Sequence, residues 1–208
     1  MEMPTSGIYD YNPQLGSLYA QTYALYYRLP EWQRLFYYEP QGNDCANFAS
    51  QCIWAAYGGW IPGMDEQTIS QNRQRILQNV RQVGGVWHGS ASNMGTLIWQ
   101  RVNDLYSYIV TNRGFGPAGD LVAEGDWASI DPVAIKQGDL VQMVVTTYSG
   151  SGYGHSLFVT KPGTVWSDVF ICSHSRDRLN TPMSEFASNP AVYPRLRVIR
   201  MREARFSQ

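Results

Sequence analysis

Asp44-Cys-Ala-Asn-Phe-Ala-Ser-Gln-Cys52 decides how this chain reads, because it sets a thiol at the point where an amphipathic helix begins. Asn43 is a good N-cap residue and Gly42 a flexible lead-in. Phe48, Cys52, Ile53 and Ala56 then recur at helical spacing until Gly58-Gly59 ends the run. Cys45 falls in the first turn, where unpaired N–H groups and the positive end of the helix dipole favour thiolate over thiol. The thiolate is the form that attacks a carbonyl carbon, so the stretch predicts a nucleophile. Asp44 reads as a first-turn charge that stabilises the helix through its dipole.

A nucleophilic cysteine needs a base, and the chain has three histidines. His88 follows Trp87 in an unassigned segment and is given no chemistry. His155 opens the run His-Ser-Leu-Phe-Val-Thr160 after a glycine-rich approach, and His174 closes Val169-Phe-Ile-Cys-Ser-His174; both runs read as strands. With residues 161–168 as the connecting loop, the simplest antiparallel register pairs Thr160 with Val169, Val159 with Phe170, Leu157 with Cys172 and His155 with His174. Both imidazoles would then share a face, whereas a slip of one residue would separate them. This register predicts Cys45 as nucleophile, His155 as general base and His174 as the group that orients its ring. If the second strand ends earlier and the loop folds back, Asp177 or Asn180 takes the orienting place.

Along the chain, the order of elements runs from helices to sheet. Leu18, Tyr19, Thr22, Tyr23, Tyr26 and Leu29 make a stripe that predicts a first helix over 14–29, stopped by Pro30. After the cysteine helix, Asp65 to Val83 is polar with one narrow apolar face, and helical spacing resumes from Leu97 to Ile109. Residues 112–119 read as a loop. Leu140 to Val145 is an apolar run that predicts the first central strand, followed by the His155 strand, the His174 strand and a late strand over 195–201. The fold class is therefore α+β, with N-terminal helices packed on a C-terminal antiparallel sheet.

These residues resemble the putative amidase domain family, a branch of the papain-like superfamily related to the NlpC-type and CHAP-type cell-wall hydrolases. The marks are the helix from Tyr19-Ala20 to Tyr27, the Asp44-Cys45-x-Asn47-Phe48-x-Ser50-Gln51-Cys52 motif, Gly138-Asp139-Leu140-Val141, Gly154-His155-Ser156 and Ser173-His174-Ser175-Arg176-Asp177-Arg178. The resemblance implies a papain-like fold and hydrolysis of a peptide or cell-wall amide bond through a thioester, with no cofactor. It makes residues 1–208 one papain-like domain, with a helical insertion at 60–130. The Cys45 N–H is the natural first donor to a developing oxyanion. Gln41, Asn43 and Tyr38 are candidates for the second, although their spacing departs from that of papain relatives.

Composition narrows the partners. The 16 basic side chains against 17 acidic ones give a formal charge of -1, which argues against nucleic acid and against a polybasic membrane patch. No run approaches the roughly 20 apolar residues of a membrane span. Met1-Glu-Met-Pro-Thr-Ser-Gly7 lacks the basic and apolar regions of a secretory signal, so the chain as written is expected in the cytoplasm, or secreted if a leader was trimmed. The 14 tyrosines and seven tryptophans either pack the edges of the core or line a groove for sugars or peptides. Cys52 and Cys172 are expected as buried free thiols, a disulfide between them being the alternative. Arg176-Asp177-Arg178 reads either as a solvated charged turn or as a site for a substrate carboxylate. Two other functions remain consistent with the residues. One is a noncatalytic peptide- or glycan-binding module, and the other a metal site built from Cys45, His155, Cys172 and His174.

Overall fold

In a computed structural model that describes residues 7–33, 44–79, 86–89, 95–112 and 114–206, the run Leu140–Val144 forms a strand, β3, buried at all five positions. A strand apolar on both faces needs cover on both faces and a neighbour on each edge. Both needs are met in an antiparallel sheet of six strands. Its members are β2 (Gly119–Gly125), β3, β4 (Tyr153–Lys161), β5 (Phe170–Ser173), β6 (Arg178–Pro182) and β7 (Leu196–Met201), in the order β2-β7-β3-β4-β5-β6. Leu140, Phe158, Cys172 and Ile199 face one way, toward helices α1 (Pro13–Tyr23) and α2 (Cys45–Trp54), in a core with Tyr19, Tyr23, Phe48 and Cys52. Val141, Leu157, Val159, Ile171 and Val198 face the other way and pack under Ile135 and Phe186. Much of the aromatic content is core: Trp60, Trp87 and Trp99 are buried in the helix-side cluster.

Helix α1 starts where Asn12 accepts a hydrogen bond from the Leu15 N–H and Pro13 occupies the first turn. It ends earlier than the predicted 14–29. Leu25 adopts φ -107°, ψ 54°, and the rest of the stripe continues as a single 3-10 turn, Tyr26–Arg28. Helix α2 is buried along its whole length and stops through a wide turn in which Gly58 takes φ +88°, as the Gly58-Gly59 pair implied. Its predicted N-cap, Asn43, lies outside the described residues. The predicted polar helix is α3 (Glu66–Asn79). The expected continuous spacing from Leu97 to Ile109 is two helices, α4 (Leu97–Gln100) and α5 (Val102–Thr111), because Arg101 between them is extended at φ -112°, ψ 134°. The stretch 60–130, expected to be helical, also contains β2, an edge strand paired with β7.

The register between β4 and β5 differs from the sequence expectation. Phe158 pairs with Cys172 and Val159 with Ile171; a bulge follows, and Lys161 pairs with Phe170. This is a slip of one residue from the Leu157–Cys172 pairing, and burial accounts for it. Phe158 and Cys172 both belong to the helix-side core, whereas Leu157 belongs to the opposite face. The slip removes the predicted His155–His174 pair. Strand β5 ends at Ser173, and His174 has left the sheet. A short helix, α6 (Ser184–Ala187), follows β6, and a two-stranded ribbon of β1 (Gly7–Tyr9) and β8 (Ala204–Phe206) completes the architecture.

Candidate active site

Cys45 is the first residue of α2, and β4 decides where its sulfur lies. Alternate residues of an antiparallel strand turn their main-chain groups to opposite neighbours. The N–H and C=O of Val159 bond toward β3, to Asp139 and Gly138, so those of Ser156 and Phe158 point toward β5. The β5 ladder reaches no further along β4 than Phe158, which leaves the edge open at residues 154–156. The Cys45 sulfur fills that opening. It lies 3.9 Å from the Gly154 carbonyl oxygen and takes a hydrogen bond from the Ser156 main chain. The thiol therefore rests against the backbone on both sides of His155. A bulge beside Gly154 turns Tyr153 to the helix side, where it packs with Cys45, Ala46 and Val102.

The His155 side chain has the same parity as Leu157 and Val159 and opens into a cleft of about 290 Å³. Tyr148, Ser175, Arg176, Arg178 and Phe186 share its walls. The imidazole is only 5% exposed, and neither ring nitrogen has a hydrogen-bond partner. Burial, reinforced by Arg178 and Arg176, pushes its pKa down to about 3, so the ring is neutral at pH 7.

The predicted thiolate bias at Cys45 is not what the surroundings produce. Burial pushes the thiol up to about 11, with Asp44 adding to the rise, and this outweighs the hydrogen bonds from Ser156 and Ala46. Two of the helix-end donors that were to favour thiolate are engaged elsewhere. The N–H groups of Asp44 and Cys45 both donate to Ser175 Oγ, at 3.0 and 3.1 Å. Ser175 reaches them from a left-handed conformation, φ +75°. The predicted oxyanion donor is thus satisfied by a side chain. The second-donor candidates Tyr38, Gln41 and Asn43 lie outside the described residues.

His174 is placed away from the imidazole it was predicted to orient. Its Nδ1 pairs with Asp44 Oδ2, its Nε2 donates to the Tyr23 carbonyl at 2.8 Å, and its ring stacks on Phe48 with centroids 3.9 Å apart. Asp44, buried and also accepting from Asn47 Nδ2, is a partner of this imidazole more than a free helix-end charge. Asn180, the alternative orienting group, accepts from Thr160 Oγ1 and Gln21 Nε2 and lies beside Cys172. The four residues considered as a metal site are therefore dispersed. Among the described residues, no group of three or more His, Cys, Asp or Glu side chains is arranged to hold a metal. All three cysteines are free and buried. Sequence reasoning missed Ser175 and Tyr148. Ser175 had only its place beside His174 to mark it, and Tyr148 only its place in a turn before the His155 strand.

Residues 10–196 match the profile of the putative amidase domain, so the chain belongs to that family, whose name denotes hydrolysis of amide bonds. Neither the curated proteins nor the solved structures contain a match to it. No helix among the described residues is long and apolar enough to cross a membrane.

Proposed function

We propose that this member of the amidase family is a papain-like cysteine hydrolase, a single domain in which Cys45 attacks an amide carbonyl and His155 carries the proton. The observation that supports this most directly is the Cys45 sulfur at the open edge of β4, against the main chain that flanks an unpartnered imidazole. Because the thiol is protonated and His155 neutral, the pair starts uncharged. The mechanism requires a side-chain rotation that carries the imidazole to the sulfur; His155 then takes the proton as the S–C bond forms, and the same proton passes to the leaving amine when the C–N bond breaks. Water, deprotonated by His155, then releases the acid from the thioester. The Cys45 N–H can serve the oxyanion once Ser175 Oγ withdraws. His174 acts in this reading as the positioning residue that holds Asp44, and through it the start of α2. Peptides, including those of the cell wall, are the proposed substrates.

A noncatalytic peptide- or glycan-binding module is favoured by a single observation, the occupation of the Cys45 N–H by Ser175. Incubation with a panel of peptide amides, read by product formation and by intact-mass detection of an acyl-enzyme, separates the two. The expected result is an adduct on Cys45 and a fall in turnover of about 10²- to 10⁴-fold in His155→Ala. Turnover that survives in Cys45→Ala would refute the thiol mechanism, and binding without turnover would leave the module.

A further inference from the structure

The cleft that receives His155 is lined by two arginines and no acid. Among the described residues, no carboxylate comes within the 4.0 Å of an ion pair with either Arg176 or Arg178. Arg178 is half-buried, lies 4.8 Å over the Phe186 ring and donates to the Arg176 carbonyl at 3.4 Å. Glu185, Tyr148 and Tyr193 act on it from further away. A cation taken partly out of water without a counter-charge is costly, and folds ordinarily supply the counter-charge. Beside it His155, 5% exposed, presents two ring nitrogens with no partner to the same space. The cleft therefore holds a half-buried guanidinium with no carboxylate at ion-pair distance and a ring N–H with no acceptor. A guanidinium matches the planar, two-oxygen geometry of a carboxylate, and about 290 Å³ admits a group the size of one residue.

We infer that Arg176 and Arg178 form a carboxylate subsite in this cleft, so that the substrate is an amide with a carboxylate, terminal or side-chain, close to the bond that is cut. The catalytic half of this statement rests on the proposed function; the binding half stands without it. A carboxylate seated there would supply a counter-charge to the half-buried Arg178 and accept from the His155 ring, which makes protonation of that ring easier as substrate binds.

The test is binding to the Cys45→Ala protein, followed by NMR, of three peptides: acetyl-Ala-Ala with a free carboxylate, the same peptide as its carboxamide, and acetyl-Ala-Glu carboxamide. The expected result is that the terminal carboxylate, the side-chain carboxylate or both bind at least about tenfold tighter than the neutral peptide. The His155 ring resonances should titrate at higher pH in the complex, and the preference should vanish in Arg176→Gln/Arg178→Gln. Equal affinity for all three peptides in the protein with its arginines intact would overturn the subsite, whether or not the double variant folds. Tight carboxylate binding together with no acyl-enzyme from any amide in the wild type would keep the subsite and refute the hydrolase.

Discussion

Alkylation of Cys45 tests the electrostatics of the site directly, because the structure pushes this thiol up to about 11 and leaves it 6% exposed. At pH 7 such a thiol is about 0.01% thiolate, against about 3% for a free cysteine of pKa about 8.5. That is a deficit of about 300-fold. The greater basicity of the sulfur restores about tenfold in intrinsic nucleophilicity, so labelling by iodoacetamide should run about 30-fold slower than at an exposed thiol, before burial slows it further. Its rate should climb about tenfold per pH unit from 7 to 10. Because His155 is neutral across that range, His155→Ala should leave the profile in place while lowering turnover about 10²- to 10⁴-fold. Peptide mapping separates Cys45 from Cys52 and Cys172, both wholly buried. A plateau of fast labelling between pH 5 and 8 that disappears in His155→Ala would mean a standing thiolate–imidazolium pair, and would refute the uncharged resting state argued above.

His155 should also shape acid stability. With its folded pKa near 3 and its unfolded value 6.5, the unfolded chain binds the extra proton between those limits, so stability present above pH 6.5 is lost as pH falls toward 3. The loss reaches about 3 kcal/mol at pH 4. Urea unfolding at pH 7, 5 and 4 should show His155→Asn relieved of this slope, and an unchanged slope would contradict it. Ser175→Ala leaves two helix-end N–H groups without their acceptor and should cost about 1–2 kcal/mol in the same assay. Ser175→Gly should cost less, since glycine relaxes the strain at φ +75°; equal losses would mean that the strain is negligible. Gly16→Ala should destabilise by about 1–3 kcal/mol, because the added methyl would meet Phe158 Cζ at 2.8 Å and the Cys52 carbonyl oxygen at 3.0 Å where α1 crosses α2. A thermal midpoint within a degree of wild type would show that α1 shifts freely.

What the sequence made legible was local. The start of α2 at Cys45, its stop at Gly58-Gly59 and the buried run of β3 each follow from a few neighbouring residues. Register was not legible, because Leu157, Phe158, Val159, Ile171 and Cys172 are all apolar in a sheet covered on both faces. Alternation cannot say which of them faces the helices when every position is buried. The same ambiguity hid Arg197 inside the late strand, a cation that sequence would put in solvent. It is held between the Tyr106 and Tyr153 rings, 3.5 and 3.9 Å from their centroids, and hydrogen-bonds Gln142 and Asn103. Strand β2 escaped because it is an edge strand with Leu121 and Val122 exposed, so its residues carry little alternation to read.

The Ser173-His174-Ser175 segment shows how a motif can be recognised and its chemistry misassigned. Its first two residues, read as the end of a strand over 169–174, offered His174 to His155. In the structure the two residues after Ser173 act on α2 instead: His174 holds the side chain of Asp44, and Ser175 holds the N–H groups of Asp44 and Cys45. Side chain and main chain of one helix turn are thus fixed by consecutive residues, with Tyr23 of α1 closing the arrangement on the far nitrogen of the imidazole. The next residue of that segment, Arg176, lines the cleft. One turn therefore carries both the clamp on the start of α2 and, in Arg176, one of the two positive charges that share the cleft with His155.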